Sequence, residues 1–103
     1  MSAKSNPLTR GKKQKALVLL QHNQPAEAKP LLEHVCRTDS HDIEAWLLLG
    51  ATCQELGSLM EADSAYRQVI TLRPDFLEAW CNLGSVLELR ERPVAALDCY
   101  RRA

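Results

Sequence analysis

The sequence is poor in aromatics, 5% of its 103 residues, and its four glycines stand apart from one another. Scarce aromatics point to a core of leucine and alanine packed between helices. Isolated glycines exclude a glycine-rich phosphate cradle. No apolar run approaches the roughly 20 residues that span a bilayer. The strongest early run, over positions 16–20, is too short for a secretory signal core. No membrane interaction is expected, and the chain reads as cytoplasmic. Its four cysteines (Cys36, Cys53, Cys81 and Cys99) are scattered, with no CxxC pair and no short disulfide framework. In a reducing compartment such cysteines behave as small hydrophobes. His22, His34 and His41 have no i, i+4 partner and no ligand at zinc spacing. No metal site and no cofactor is expected.

Charge of one sign is also missing: 13 Lys and Arg balance 13 Asp and Glu. Phosphate binding needs a basic excess, so nucleic acid is not an expected partner. The balance conceals a gradient, however. Positions 1–40 hold seven bases against three acids, and positions 41–103 hold six against ten. The cluster Lys12, Lys13 and Lys15 is read as a solvated helix start rather than a polyanion site.

What the sequence does have is a period. Glu44-Ala45-Trp46 with Leu49-Gly50 returns as Glu78-Ala79-Trp80 with Leu83-Gly84, a shift of 34 positions, from 44 to 78. The same shift carries Ala62, Tyr66 and Arg67 onto Ala96, Tyr100 and Arg101. Across the 28 pairs that start from positions 42–69, eight are identical. A fainter echo lies upstream, where Ala16 precedes Gly50 and Ala28 precedes Ala62 by the same step. The first unit therefore reads as a degenerate member of the series.

Each unit reads as two helices. Trp46, Leu49, Gly50 and Cys53 fall at i, i+3, i+4 and i+7, one stripe of a helix. Ala62, Tyr66, Val69 and Ile70 mark the inner stripe of the next. Gly57 supplies a break suited to a helix C-terminus, and Pro25 and Pro93 fall where second helices should begin. Pro30 is expected to kink its helix or delay its start. Arg73-Pro74-Asp75 should end one unit, with Asp75 capping the next helix. The expected helices lie near 8–22, 25–37, 42–55, 59–71, 76–89 and 93–103, after a flexible tail over 1–8.

Packing explains the residue types. Gly50, Gly84, Ala62 and Ala96 should let antiparallel helices approach closely. Trp46 and Trp80 should fill the wider gap, each burying roughly 150–250 Å², and Tyr66 and Tyr100 should cover the junction to the neighbouring unit. No single hairpin buries its face alone, so stability comes from stacking.

The period and the pattern A-W-x-x-L-G, A-x-x-x-Y, P over positions 45–74 resemble the tetratricopeptide repeat. The resemblance covers positions 9–103, as units near 9–41, 42–75 and an incomplete 76–103. Glu91 replaces the inter-helix glycine of the third unit; the first has Lys12 for the aromatic and Leu32 for the tyrosine. The resemblance implies an all-α, right-handed solenoid of about three helical hairpins whose first helices line a concave groove. It also implies a protein-interaction scaffold that binds a peptide or partner helix, not an enzyme.

By register the groove would present Arg10, Lys13, Leu17 and Gln21 from the first unit. The second would add Glu44, Leu47, Ala51, Gln54 and Glu55, and the third Glu78, Cys81, Asn82, Ser85, Glu88 and Leu89. That lining has a basic end, an acidic middle and apolar spots, which would suit a peptide with basic and apolar residues.

A carboxylate clamp of the chaperone-tail kind is not expected, because Leu17, Leu48 and Glu78 hold its places. Of an asparagine ladder only Asn82 is present. Glu44 and Glu78 are explained as solvated residues without acid–base catalysis. The third unit ends without a polar capping helix, which would leave Val94, Leu97 and part of Tyr100 open to self-association. The alternative function is a substrate-docking arm of a larger glycosyl- or sulfotransferase.

Overall fold

The computed structural model describes residues 6–103, which form six α-helices and, among the described residues, no strand. They are α1 (Arg10–Gln21), α2 (Pro25–Thr38), α3 (Ile43–Glu55), α4 (Leu59–Leu72), α5 (Leu77–Leu89) and α6 (Pro93–Arg102). Most of the tail expected over 1–8 lies outside the described residues; positions 7–9 form a turn. Consecutive helices pack antiparallel, as the pairs α1–α2, α3–α4 and α5–α6, and each pair leans on the next through α2–α3 and α4–α5. The result is a solenoid of three hairpins with overall dimensions 40 × 31 × 20 Å.

The repeat is visible atom by atom. At the turn inside each hairpin a residue adopts left-handed backbone: Asn23 (φ 60°), Gly57 (φ 79°) and Glu91 (φ 59°). These positions are one period apart. Behind each one, the next N–H reaches back to close the helix end: Gln24 to the Leu19 carbonyl, Ser58 to Cys53 and Arg92 to Leu87, all at 2.8 Å. That helix end favours glycine, because a Cβ in left-handed backbone costs roughly 1–2 kcal/mol. Only the middle unit has the glycine. Glu91→Gly is therefore expected to stabilise the protein by about 1 kcal/mol. The measurement is a urea midpoint at unchanged slope; an unmoved midpoint would show that Glu91 carries no strain.

Two expectations about helix starts need correction. Pro30 neither delays nor ends α2, which starts at Pro25 and runs through to Thr38. Pro30 is exposed and lies in the second turn of the helix, so its ring faces water and only one backbone hydrogen bond is forfeited. Asp75 does not cap α5; Phe76 holds the cap position, and Asp75 instead accepts from Arg73 Nε at 3.3 Å. The capping carboxylate is one unit earlier, where Asp42 accepts from the Ala45 N–H at 3.0 Å.

The core runs along the interface between the two helix layers. Ala16, Ala28, Leu32, Ala45, Ala62, Tyr66, Ala79, Leu83 and Ala96 are all within 1% of complete burial. Each tyrosine also packs on the glycine of its own hairpin. Tyr66 lies against Gly50 of its own hairpin, so close that a Cβ on Gly50 would meet the ring at 2.7 Å. Tyr100 lies on Gly84 in the same way, at 2.5 Å. The first unit has Ala16 and Leu32 at these two places, both fully buried, a bulkier small residue with a slimmer large one.

The indoles are the residues that reach between units. Trp46 Nε1 donates to the Ser40 carbonyl at 2.9 Å, and Trp80 Nε1 donates to the Pro74 carbonyl at 2.7 Å. Both acceptors sit in the loop that joins one hairpin to the next. Each bond ties the first helix of a hairpin to the loop that precedes it.

Candidate functional site

The residues expected in the groove come from α1, α3 and α5, the first helix of each hairpin, and none of them is buried. At the N-terminal end Arg10, Lys13, Gln14, Leu17 and Glu44 line a cavity of about 120 Å³. Here α1 and α3 meet. Lys13 lies in the middle, with its Nζ 2.9 Å from Asp42 Oδ2 and 2.7 Å from Glu44 Oε1. Burial lowers the pKa of the Lys13 ammonium, but its hydrogen bonds to Glu44 and Asp42 outweigh this and the net shift is upward. This changes the charge pattern read from sequence. Lys13 is occupied by two carboxylates of its own chain and does not offer a free cation to a ligand.

Further along, the groove residues pair with the packing tyrosines. Tyr66 donates its hydroxyl to Gln54 Oε1 at 3.1 Å, and Tyr100 donates to Glu88 Oε1 at 2.9 Å. Ser85 Oγ lies 3.5 Å from the Tyr100 hydroxyl, so Ser85 and Glu88 converge on one ring. Gln54 and Glu88 are themselves one period apart. In the second and third units the tyrosine that fills the glycine notch thus ends on polar side chains of the first helix, Gln54 in one and Glu88 with Ser85 in the other. Burial pushes the Tyr66 phenol up to about 12, and the Glu78 carboxylate adds to the effect.

Leu47 and Asn82 are half-buried, while Ala51, Glu55, Glu78 and Cys81 are exposed. Leu89, at 59% exposure, continues the groove edge toward the last hairpin turn. Glu55 and Glu78 have no ion pair among the described residues, and no lysine or arginine of α3 or α5 faces them, because those helices contain none. Among the described residues the unpaired charge on α3 and α5 is negative.

Sequence reasoning missed Asp42 and Gln14 in this region, and it missed a second constellation altogether. Asp63 on α4 is 6% exposed and holds two arginines: Arg67 one turn along the same helix, and Arg90 at the end of α5, whose Nη1 is 2.7 Å away. Lys29 and Glu61, 2.6 Å apart, tie α2 to α4 in a comparable position. Two clefts larger than the groove cavity flank Met60. One, about 520 Å³, is lined by positions 57–61 and Arg90; the other, about 370 Å³, by Trp46, Leu49, Met60, Glu61, Ser64 and Ala65. Their charged walls, Glu61 and Arg90, are already neutralised within the chain, so size alone distinguishes them.

Three cysteines are buried among the helices, and Cys81 alone is exposed. Burial pushes the Cys36 thiol up to about 12 and raises Cys53 and Cys99 as well. Thiolate is the reactive form, so brief alkylation at mildly alkaline pH is expected to add one group, at Cys81. A second rapid adduct in the intact mass would show that the hairpins open. Among the described residues no cluster of His, Cys, Asp and Glu could hold a metal, and no helix is long and apolar enough to cross a membrane.

Comparison with known proteins agrees with this geometry. Residues 54–103 match the tetratricopeptide repeat family. Over 45 residues the chain is 42% identical to the human Protein O-mannosyl-transferase TMTC3, covering 44% of this chain and 5% of that protein. Over 65 residues it is 34% identical to the human Superkiller complex protein 3, covering 60% of this chain and 4% of that protein. The chain thus spans a small part of the length of its curated relatives.

Among solved structures, YrrB, described as a tetratricopeptide repeat protein with an unusual peptide-binding site, superposes with a TM-score of 0.88. That likeness is at 25% identity and covers 97% of this chain and 50% of YrrB. MamA shares the fold, with a TM-score of 0.86 at 17% identity over 91% of this chain and 55% of its own. Residues 54–103 thus match the tetratricopeptide repeat family directly, and the turn geometry that recurs at every period back to Asn23 repeats the same hairpin over the rest of the described residues.

Proposed function

We propose that this chain is a non-catalytic docking module that holds a peptide or a helix of a partner protein along the face built by α1, α3 and α5. One observation carries the reading. On that face the second and third hairpins each offer an ordered polar side chain, Gln54 or Glu88, held by a tyrosine from behind. Ordering side chains in advance lowers the entropy a ligand must overcome. The peptide-binding site named for YrrB, which shares the fold over nearly the whole of this chain, supports the same assignment.

The test is affinity capture with the wild-type chain and with Leu47→Arg/Glu78→Lys, both verified as helical by circular dichroism. Loss of the captured partner from the double variant is the expected result. Retention of every partner would remove the groove from the recognition surface.

A second reading has one observation in its favour, the 42% identity over 45 residues to a protein O-mannosyl-transferase. In it, the same surface docks substrates for a transferase domain encoded in the same gene. Sequencing the reading frame on both sides decides between the two. Self-association through α6 is a further proposal, resting on Val94 and Leu97, which are 82% and 50% exposed. Sedimentation at micromolar concentration tests it, and a strict monomer would remove it.

A further inference from the structure

The cavity between α1 and α3 contains a cation that the next step of the solenoid lacks. Shifting its lining by one period turns Arg10, Lys13, Gln14, Leu17 and Glu44 into Glu44, Leu47, Leu48, Ala51 and Glu78. These residues stand on α3 and α5 as the originals stand on α1 and α3, and α3 and α5 are in contact. In the first cavity Lys13 lies on the Glu44 carboxylate at 2.7 Å. One period on, Leu47 takes the place of that lysine, and Glu78 takes the place of its acceptor. Leu47 cannot pair with Glu78. The exposed carboxylate is left without an ion pair among the described residues, and Leu47 and Ala51 stand at the register positions that Lys13 and Leu17 hold one period earlier.

We infer that the α3–α5 step of the groove is a subsite for a lysine side chain of the bound peptide, its aliphatic stem on Leu47 and Ala51 and its ammonium on Glu78. Lys13 is the chain's own example of the contact, a lysine seated on the equivalent glutamate. The amphipathic occupant follows from the lining, since a lysine buries its methylenes on apolar surface while its head stays at the charged rim. The charge of the neighbourhood agrees. Glu44 at the other end of the step is already held by Lys13, Glu55 lies a turn beyond Ala51, and neither α3 nor α5 carries a cation. A peptide carboxylate at this place would meet the uncompensated Glu78. The inference rests on the docking reading above and narrows it to basic segments.

The experiment uses the labelled chain and three capped octapeptides of alanine and leucine. The first carries two lysines, the second two glutamates and the third two norleucines at the same places. Chemical shifts of Leu47, Ala51 and the α5 amides are followed by NMR. The lysine peptide is expected to move these signals and the glutamate peptide to leave them in place. Glu78→Lys should weaken the lysine peptide about tenfold, the sum of a lost attraction and a new repulsion.

Leu47→Lys should weaken it similarly, by supplying from inside the cation that Lys13 supplies one step earlier. Glu78 is exposed, so its variant reports even if the Leu47 variant fails to fold. If the lysine, norleucine and glutamate peptides bind alike, or Glu78→Lys leaves the lysine peptide unaffected, the subsite is overturned while groove docking survives. If no peptide moves any signal of α1, α3 or α5, both fall.

Discussion

Gly50→Ala is expected to lower the unfolding free energy by about 1–2 kcal/mol, although alanine is the better helix former. The added Cβ would lie 2.7 Å from the Tyr66 ring, and Tyr66 is only 1% exposed. Overpacking of this kind costs about 1–3 kcal/mol, and the gain in helix propensity returns up to about 1. For a domain of this length the melting temperature should fall by roughly 5–10 °C. The decisive comparison is Gly50→Ala/Tyr66→Leu, which installs the pair of residue types found in the first unit as Ala16 and Leu32. The double variant should recover part of the loss, because leucine leaves room for the methyl group. Additive losses in the double-mutant cycle would mean that the ring and the glycine are not coupled.

The second large effect is expected at Asp63. Asp63→Asn should cost about 2 kcal/mol, because it leaves the Arg90 guanidinium, only 22% exposed, without its carboxylate. Arg67→Ala should cost well under about 1 kcal/mol, since Arg67 is 58% exposed and the pair it makes is largely solvated. Urea unfolding of the two variants measures the difference. Equal losses would show that Asp63 acts through its own helix and not through the α4–α5 junction.

These two sites also mark where reading the sequence succeeds and where it stops. Whatever depends on a repeated residue is legible. The period, the six helices with ends close to those observed, and the importance of Gly50 and Gly84 all come from positions that recur. Even there the pattern leaves contacts out: the tyrosines also fill the glycine notches of their own hairpins, and the indoles bond to the loops that join units.

Whatever depends on a residue used once is not legible. Asp63 has Lys29 and Leu97 at its equivalent positions, so no pattern draws attention to it. Lys13 reads as groove charge because its partners Asp42 and Glu44 belong to the next unit, and only a three-dimensional superhelix closes that distance. Alkaline conditions should expose this pair. The Lys13 pKa is raised in the folded state, so its contribution is complete below the ordinary lysine value of 10.5 and fades as the pH climbs past it.

Helices in this protein touch mainly the helix before and the helix after, and the principal exception is the contact between α3 and α5. Such a molecule melts like a zipper instead of collapsing at once. Among the described residues its two outer teeth, α1 and α6, have a neighbour on one side only, and the middle hairpin is clasped on both. Amide exchange should therefore be graded along the chain, slowest in α3 and α4. Among the described residues the face proposed for docking shares that gradient, firmest on α3 and more yielding toward its edges.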